Sequence, residues 1–361
     1  MNANIRWEET PSLCARSIET VLGTVKIRRG RFEGGRSEGV EVVEINTGAV
    51  IIAVLPTRGM GIWKMYASGI EFGWQSPVPG PVHPTFVPLS DPSGLGWLEG
   101  FDELLVRCGL QSNGAADVDS SGVVHFPLHG RIANLPATNL TVQIEAETGR
   151  VTLAGEVVEA QFLIKRLRLV SRISVFAGSP TVQIEDEVTN DLSTPATAQL
   201  LYHINVGAPL LSAGAEFFAQ PEWFEPKDEL SRSEASQWSK IGAPEAQFRE
   251  RVYFTKLRRG GDGKSSACVR SADGNGGFGL TYDPSTLPYF TFWRNTAAKD
   301  DGYVVGMEPA TNLPNTRSVE TEAGRFVSLA SHQSVFFRLA LHPLRTRTEV
   351  DAFCAHVTGL P

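Results

Sequence analysis

Short runs in which apolar and polar residues alternate make up much of this chain. A period of two turns one face of a β-strand toward a core and the other toward solvent. Val40-Glu41-Val42-Val43-Glu44-Ile45 and Ala49-Val50-Ile51-Ile52-Ala53-Val54-Leu55 flank Asn46-Thr47-Gly48, a combination that predicts a β-hairpin. Further β-rich runs predict strands over residues 141–146, 151–158, 164–176, 181–188, 197–206, 252–256, 278–282, 303–307 and 335–341.

Helical patterning is confined to two segments. Residues 98–106 predict a short helix that Gly109 stops, and Thr348 is a candidate N-cap of a last helix, with Asp351 three residues on. An apolar stripe supports the last helix: Val350, Phe353, Cys354 and Val357. Because strands are many and helices few, we expect an all-β fold, a large antiparallel β-sandwich.

The domain organisation predicted is simple. No shift in composition and no repeat of fixed period divides the chain, so we expect one domain over residues 1–361. Residues 1–39 form its N-terminal lead-in and residues 346–361 its C-terminal helix. Prolines and glycines crowd residues 75–97, which predicts a long surface loop at the rim of a binding cleft. The glycine-rich residues 260–277 predict an exposed turn.

Composition excludes several classes of protein. The net charge of -7 and the pI of about 5.6 argue against nucleic-acid binding, which needs a basic surface. No apolar run approaches the roughly twenty residues of a membrane span, and the N-terminus lacks a basic-then-apolar signal segment. The cysteines are scattered without a CxxC pair, which predicts reduced thiols in a cytoplasmic protein: Cys14, Cys108, Cys268 and Cys354.

Three familiar motifs match the residue letters of this sequence, but the surrounding sequence does not fit the structure that each motif needs. Gly35-Arg36-Ser37-Glu38-Gly39 resembles a nucleophile elbow, but a strand and not a helix follows it. Gly263-Lys264-Ser265 resembles the end of a phosphate-binding loop, but Arg258 stands where its first glycine belongs. Gly59-Met60-Gly61 leads into a strand-like run, which excludes a dinucleotide fingerprint.

Two histidines and one glutamate occupy loop or strand-end positions. His129 lies in a loop of restricted shape between Pro127 and Pro136. His203 follows the β-rich run at 199–202, and Glu308 ends a strand at Pro309. Taken singly, such residues are more often hydrogen-bonded core histidines or solvated carboxylates than catalysts.

The chain resembles the aldose 1-epimerase (galactose mutarotase) superfamily, and more closely its branch known as a domain of unknown function. The similar motifs run in the superfamily's order over roughly residues 40–345. They are Leu55-Pro56-Thr57-Arg58-Gly59-Met60, Gly94-Leu95-Gly96-Trp97-Leu98, Arg107-Cys108-Gly109-Leu110, Leu128-His129-Gly130-Arg131, Leu201-Tyr202-His203-Ile204-Asn205 and Gly306-Met307-Glu308-Pro309.

The resemblance implies a galactose mutarotase-like sandwich with a sugar-binding cleft and assigns roles to residues. His203 stands at the general acid, Glu308 at the general base and His129 at a second active-site histidine. Sugar-binding positions are implied at Arg58 and Glu250, and Asn312, Trp97 and Arg131 are further candidates for binding the sugar. Glu250 replaces the aspartate that precedes the family segment similar to Arg251-Val252-Tyr253. Trp74 and Trp293, with Trp97, are candidates to stack on a sugar.

Anomer exchange suits these side chains. A carboxylate removes the proton of the C1 hydroxyl while an imidazolium protonates the ring oxygen, the ring opens, C1 rotates and closure reverses the transfers. This chemistry requires no cofactor and no metal. The expected partner is a small carbohydrate, and the protein is expected to bind neither nucleic acid nor membrane and to be a monomer or homodimer.

Two other functions remain open at this point. His129, His203 and Glu308 also form a donor set for a divalent metal, as in metal-dependent sugar isomerases. A carbohydrate-binding protein that has lost the chemistry is the second alternative, since one fold serves several functions.

Overall fold

The computed structural model describes residues 4–8 and 16–359. Within these ranges the strands are β1 (Ile5–Trp7), β2 (Arg16–Thr20), β3 (Gly23–Phe32), β4 (Glu41–Asn46), β5 (Ile51–Leu55), β6 (Gly61–Ala67), β7 (Ile70–Phe72), β8 (Leu105–Leu110), β9 (Asp117–Val118), β10 (Val124–Phe126), β11 (Thr138–Glu145), β12 (Arg150–Gln161), β13 (Lys165–Phe176), β14 (Ser179–Asn190), β15 (Ala196–Gly207), β16 (Glu216–Ala219), β17 (Pro221–Pro226), β18 (Arg251–Leu257), β19 (Ser265–Arg270), β20 (Gly277–Tyr282), β21 (Tyr289–Asn295), β22 (Val304–Ala310), β23 (Val327–Leu329) and β24 (Ser334–Leu344).

Helices are short by comparison. The α-helices of the described ranges are α1 (Glu229–Ser233), α2 (Arg317–Glu322) and α3 (Arg347–Thr358). Single 3₁₀ turns occupy Gly35–Ser37, Pro56–Arg58, Pro84–Phe86, Gly96–Gly100, Ile132–Asn134, Ala235–Gln237 and Lys299–Asp301. None of these helices is long and apolar enough to cross a bilayer.

Two large antiparallel sheets face each other. The first has the strand order β1-β3-β4-β5-β6-β8-β15-β22-β21-β18-β17, with β2, β7 and β23 paired to its members. The second has the order β11-β12-β13-β14-β24-β20-β19-β16, and β9 and β10 form a separate pair. The main hydrophobic core contains residues from both sheets, so the predicted antiparallel sandwich is confirmed.

A buried ion pair joins the sheets through this core. Arg107 of β8 donates two hydrogen bonds to Asp186 of β14, at 2.5 and 3.0 Å, and another to Ser171 of β13 at 2.7 Å. The Tyr202 hydroxyl of β15 donates to the same carboxylate at 2.8 Å. Arg107 and Tyr202 therefore point inward, and their immediate neighbours along each strand point to the opposite face of the first sheet.

A second apolar cluster covers that opposite face. It contains Trp74, Trp97, Phe101, Val106, Cys108, Ala133, Leu201, Val304 and Ala310. The aromatic members belong to loop 73–101, which contains the loop predicted over residues 75–97 and extends beyond it at both ends. This loop therefore forms a cover over the middle of the first sheet.

The hairpin predicted around Asn46-Thr47-Gly48 is confirmed, because β4 pairs with β5. The helix predicted over residues 98–106 is wrong: a 3₁₀ turn ends at Gly100 and β8 begins at Leu105. Since both faces of β8 are buried, its sequence is nearly continuously apolar and lacks the alternation that marks a half-exposed strand.

Two further boundaries differ from the prediction. The last helix begins at Arg347, and its N-cap is Thr346, whose hydroxyl accepts from the Glu349 amide at 3.3 Å. Within the glycine-rich residues 260–277, the exposed turn is followed by β19, which pairs with β20. Cys108, Cys268 and Cys354 are free and buried, while Cys14 lies outside the described residues.

Candidate functional site

Three polar side chains lie side by side on neighbouring strands of the first sheet. Tyr202 points into the core, so His203, the next residue of β15, points to the opposite face. There the His203 Nε2 atom lies 3.2 Å from the Glu308 Oε1 atom of β22. Thr291 of β21 pairs directly with Glu308 on the other side. These three residues form the polar row.

The polar row forms the floor of a cavity of about 280 Å³. The cavity is lined by Leu95, Trp97, Leu98, Phe101, Ala115, Leu128, His129, His203, Lys227, Glu250, Val252, Thr291, Trp293, Glu308 and Pro314. Loop 73–101 supplies one wall, and the loop around His129 supplies another. The volume and the mixture of apolar walls with a few polar groups suit a small polar molecule.

Gly306 makes room for the side chains of His203 and Glu308. A Cβ atom at this position would lie 2.6 Å from Glu308 Oε1 and 3.1 Å from His203 Cε1. A glycine is therefore required so that these two side chains can occupy the same floor. The space that this glycine leaves is occupied by the side chains of His203 and Glu308.

A hydrogen-bonded asparagine pair supports the loop that carries His129. His129 has a φ of 57°, in the left-handed region, and its Nδ1 atom is 3.0 Å from the carbonyl of Asn113. Because a carbonyl only accepts, Nδ1 carries the proton and Nε2 is the acceptor of the neutral ring. The side chains of Asn113 and Asn312 exchange hydrogen bonds of 2.8 and 2.9 Å.

Aromatic rings enclose the histidines. The centroid of His203 lies 5.0 Å from that of Phe101 and 5.4 Å from that of Trp293. Trp97 lies edge-on to His129 at 4.6 Å, and the two imidazoles are 5.5 Å apart. These rings exclude water from the imidazoles and offer flat apolar surfaces of the kind on which sugar rings stack.

Burial sets the protonation of the site. It raises the pKa of Glu308 well above its usual value, and the negative charge of Glu250 raises it further. Burial also lowers the pKa of His203 well below its usual value, and the neighbouring His129 adds to this. The pKa of His129 is lowered to about 4, chiefly by burial. The pKa shifts of Glu308 and His203 both favour the uncharged forms of this pair, with the proton on the Glu308 carboxyl group, 3.2 Å from the neutral His203 ring.

The rim of the cavity carries opposite charges. Glu250 accepts a hydrogen bond from the indole of Trp293 at 2.7 Å, and the Lys227 ammonium lies 3.8 Å from its other oxygen. Both charged side chains are about half exposed, so their mutual attraction is weak. They remain available to a molecule that enters the cavity.

Arg58 does not line the cavity. It is 1% exposed, forms an ion pair with the buried Glu103 and donates to the carbonyls of Val82 at 2.9 Å and Gly100 at 2.7 Å. A further bond of 2.9 Å goes to the side chain of Asn134. The guanidinium thus joins loop 73–101 to the turn after His129. This position supports the site and does not fit the predicted contact with substrate.

Arg131 and Asn312 also lie outside the cavity lining. Arg131 is exposed, and Asn312 is fully buried against Asn113. Asn312 thus supports the His129 loop through its hydrogen bonds to Asn113. Trp74, a candidate for stacking, packs on Phe101 at 4.8 Å and donates to a backbone carbonyl. The structure brings together His129, His203, Glu308, Trp97, Trp293 and Glu250.

Sequence reasoning missed Phe101, Lys227 and Thr291. For Thr291 a signal exists, because Phe290 and Phe292 both belong to the core and a polar residue between them must face the other way. Phe101 directly follows a 3₁₀ turn and Lys227 directly follows β17. At such positions no local pattern indicates where a side chain points.

Larger hollows occur elsewhere on the protein. One of about 410 Å³ lies on the second sheet and is lined by charged side chains that include Arg150, Arg172 and Asp283. It contains no histidine, whereas the smaller cavity holds a buried imidazole and carboxylate in contact. Across the described ranges, no group of three His, Cys, Asp or Glu side chains is arranged to hold a metal ion.

The structure is similar to several solved structures. A "putative aldose 1-epimerase" from Klebsiella pneumoniae matches with a TM-score of 0.90 and 29% identity, over 93% of this chain and 88% of that chain. A galactose mutarotase-like protein from Clostridium acetobutylicum matches with a TM-score of 0.63 and 14% identity, over 89% and 98%. Galactose 1-epimerase from Lactobacillus acidophilus matches with a TM-score of 0.58 and 11% identity, over 89% and 99%.

No curated protein matches the chain. Residues 37–342, by contrast, match a protein family described as "Domain of unknown function (DUF4432)". This match covers most of the chain and includes every residue of the polar row. With its galactose mutarotase-like fold, the chain belongs to the DUF4432 family.

Proposed function

We propose that this protein is an aldose 1-epimerase-like isomerase that interconverts the anomers of a free or modified sugar. The observation that carries the proposal is the contact between His203 and Glu308, buried together on the floor of a cavity large enough for a monosaccharide. The names of its structural neighbours point to the same chemistry. The proposed setting is cytoplasmic.

In the proposed reaction, Glu308 accepts the proton of the C1 hydroxyl while His203 donates a proton to the ring oxygen. The bond between C1 and the ring oxygen breaks, and the open-chain aldehyde forms. After rotation about the C1–C2 bond, the two transfers run in reverse. The pair holds one proton before and after each half-reaction. Burial favours that proton on Glu308, so it must pass to His203 across their 3.2 Å contact before the sugar reacts.

His129 and the aromatic walls have supporting roles. Because its pKa is about 4, His129 is neutral near pH 7 and offers an acceptor nitrogen to a sugar hydroxyl. Trp97, Phe101 and Trp293 bind the apolar face of the ring and exclude water. Glu250 and Lys227 at the rim are placed to bind hydroxyls at the far end of the sugar.

The direct test is NMR exchange spectroscopy on a panel of free aldoses with purified protein. We expect exchange between α and β anomers to accelerate for at least one sugar, and chelation to leave the rate unchanged. Sugar binding without acceleration would instead favour a carbohydrate-binding protein. Loss of activity on chelation, restored by a divalent metal, would favour a metal-dependent isomerase.

The pH dependence of exchange is expected to be bell-shaped. Burial lowers the pKa of His203, so a second proton joins the pair only on the acid side of the usual histidine range. Burial raises the pKa of Glu308, so the last proton leaves only above the usual glutamate range. The enzymatic rate, measured after subtraction of the buffer-catalysed rate, should fall on both sides. A rate that keeps rising with pH would contradict a single-proton pair as the active form.

Gly306→Ala is expected to lower the rate of exchange by at least about tenfold. The new Cβ would lie 2.6 Å from Glu308 Oε1, which is the mobile end of a side chain and must move away. The thermal midpoint, measured on the same samples, separates a loss of activity from a loss of folded protein. Gly261→Ala is the matched control, since nothing lies within 4 Å of a Cβ there. Equal rates for the two variants would show that the position of Glu308 does not matter.

A further inference from the structure

Thr291 carries an unexplained hydroxyl at the centre of the cavity floor. The residue is 1% exposed, and its Oγ1 atom has no hydrogen-bond partner among the described residues. Phe290 and Phe292 face the core, so the threonine side chain faces the cavity. Valine has nearly the same shape and would carry no polar group to bury. A hydroxyl buried without a partner destabilises the free protein, and a bound ligand can supply the missing partner.

The position of Thr291 in the polar row indicates which part of a sugar it meets. Glu308 occupies the middle, with His203 on one side and Thr291 on the other. The anomeric carbon of an aldose likewise carries O1 and lies between the ring oxygen and C2. If Glu308 contacts O1 and His203 contacts the ring oxygen, Thr291 faces C2.

We propose that the Thr291 hydroxyl hydrogen-bonds the C2 hydroxyl of the substrate, and that the substrate class is aldoses with a free 2-hydroxyl. This inference rests on the proposed function for the orientation of the sugar. It assigns Thr291 to specificity, because the residue has no proton to exchange at working pH. A 2-deoxy sugar would leave the threonine unpartnered and lose the contact.

The test compares matched sugars, such as glucose with 2-deoxyglucose and galactose with 2-deoxygalactose, in the NMR exchange assay. Thr291→Val should lower kcat/KM for the 2-hydroxy sugar by about tenfold or more and change the 2-deoxy sugar by less than about twofold. Thr291→Ser keeps the hydroxyl and should therefore keep the preference for the 2-hydroxy sugar over the 2-deoxy sugar. Thr286→Val is the matched control, because Thr286 also has an unpartnered buried hydroxyl but does not line the cavity.

The outcomes separate this inference from the proposed function. If the unmodified protein accelerates exchange but Thr291→Val affects both sugars equally or neither, the inference fails and the function stands. If the protein binds sugars without accelerating exchange, the function fails, and the Kd values of the paired sugars for Thr291→Val decide the inference in the same way. If no sugar is bound or converted, both are overturned.

Discussion

Glu308→Gln is expected to lower kcat for anomer exchange by at least about a hundredfold, because the amide cannot accept the C1 proton. Its shape and part of its hydrogen bonding persist, so the affinity for the sugar should change by only a few fold. Initial rates over a range of sugar concentrations separate the two effects. A variant that exchanged anomers at nearly the parent rate would remove Glu308 as the base and move the metal-site or binding-protein hypothesis ahead.

Stability measurements show whether the loss of activity in Glu308→Gln comes from the chemical step or from unfolding. A carboxyl group whose folded pKa is raised imposes no penalty below its unfolded pKa, and the penalty grows as the pH rises toward the folded value. Glu308→Gln should therefore match the unmodified protein in thermal midpoint at acid pH and exceed it at neutral pH. Glu99→Gln, at an exposed carboxylate paired with Arg36, is the control and should change neither activity nor this pH dependence.

Arg58→Met is expected to destabilise the protein by about 3–5 kcal/mol, because it leaves the buried Glu103 without its cation. The variant also loses the hydrogen bonds to Val82, Gly100 and Asn134. Urea unfolding at several protein concentrations measures the change. Any rise in KM should follow from the loosening of loop 73–101, which carries Trp97 and Phe101.

Arg36→Met, which breaks an exposed ion pair, is the control for Arg58→Met, which breaks a buried one. Arg36 pairs with Glu99 at 2.9 Å, and both side chains are well exposed, so its loss should cost no more than about 1 kcal/mol. If Arg58→Met were as stable as the unmodified protein and only KM rose, the guanidinium would be a substrate contact after all. That result would also require a conformation in which Arg58 leaves Glu103.

The support of the site includes residues outside the cavity lining. Asn113 and Asn312, 199 residues apart, hold the loop that presents His129, while Arg58 joins that loop to the cover. None of these three lines the cavity. The residues predicted from the resemblance to the mutarotase superfamily therefore include some that line the cavity and some that support the loops around it.

Local patterns in the sequence were enough to predict most of the strands and to select residues whose side chains can carry out chemistry. Alternation predicts a strand and its two faces because successive side chains point in opposite directions. The prolines around His129 indicate a tight loop from backbone restrictions alone. The strand end predicted at Pro309 is wrong, because β22 continues through Pro309 to Ala310. The confirmed hairpin and sandwich follow from the same local rules. Local rules failed at β8, where burial on both faces removes the alternation.

Only the tertiary structure decided which of these residues meet. The pairing of β15 with β22 and of β22 with β21 brings His203, Glu308 and Thr291 into one row, although β15 is remote in the chain from the other two strands. Arg58 shows the same limit. Its acceptors come from three separate segments of the chain, and only their convergence buries this charged residue. Strand order and long-range burial depend on the whole folded chain, and no short window of sequence contains them.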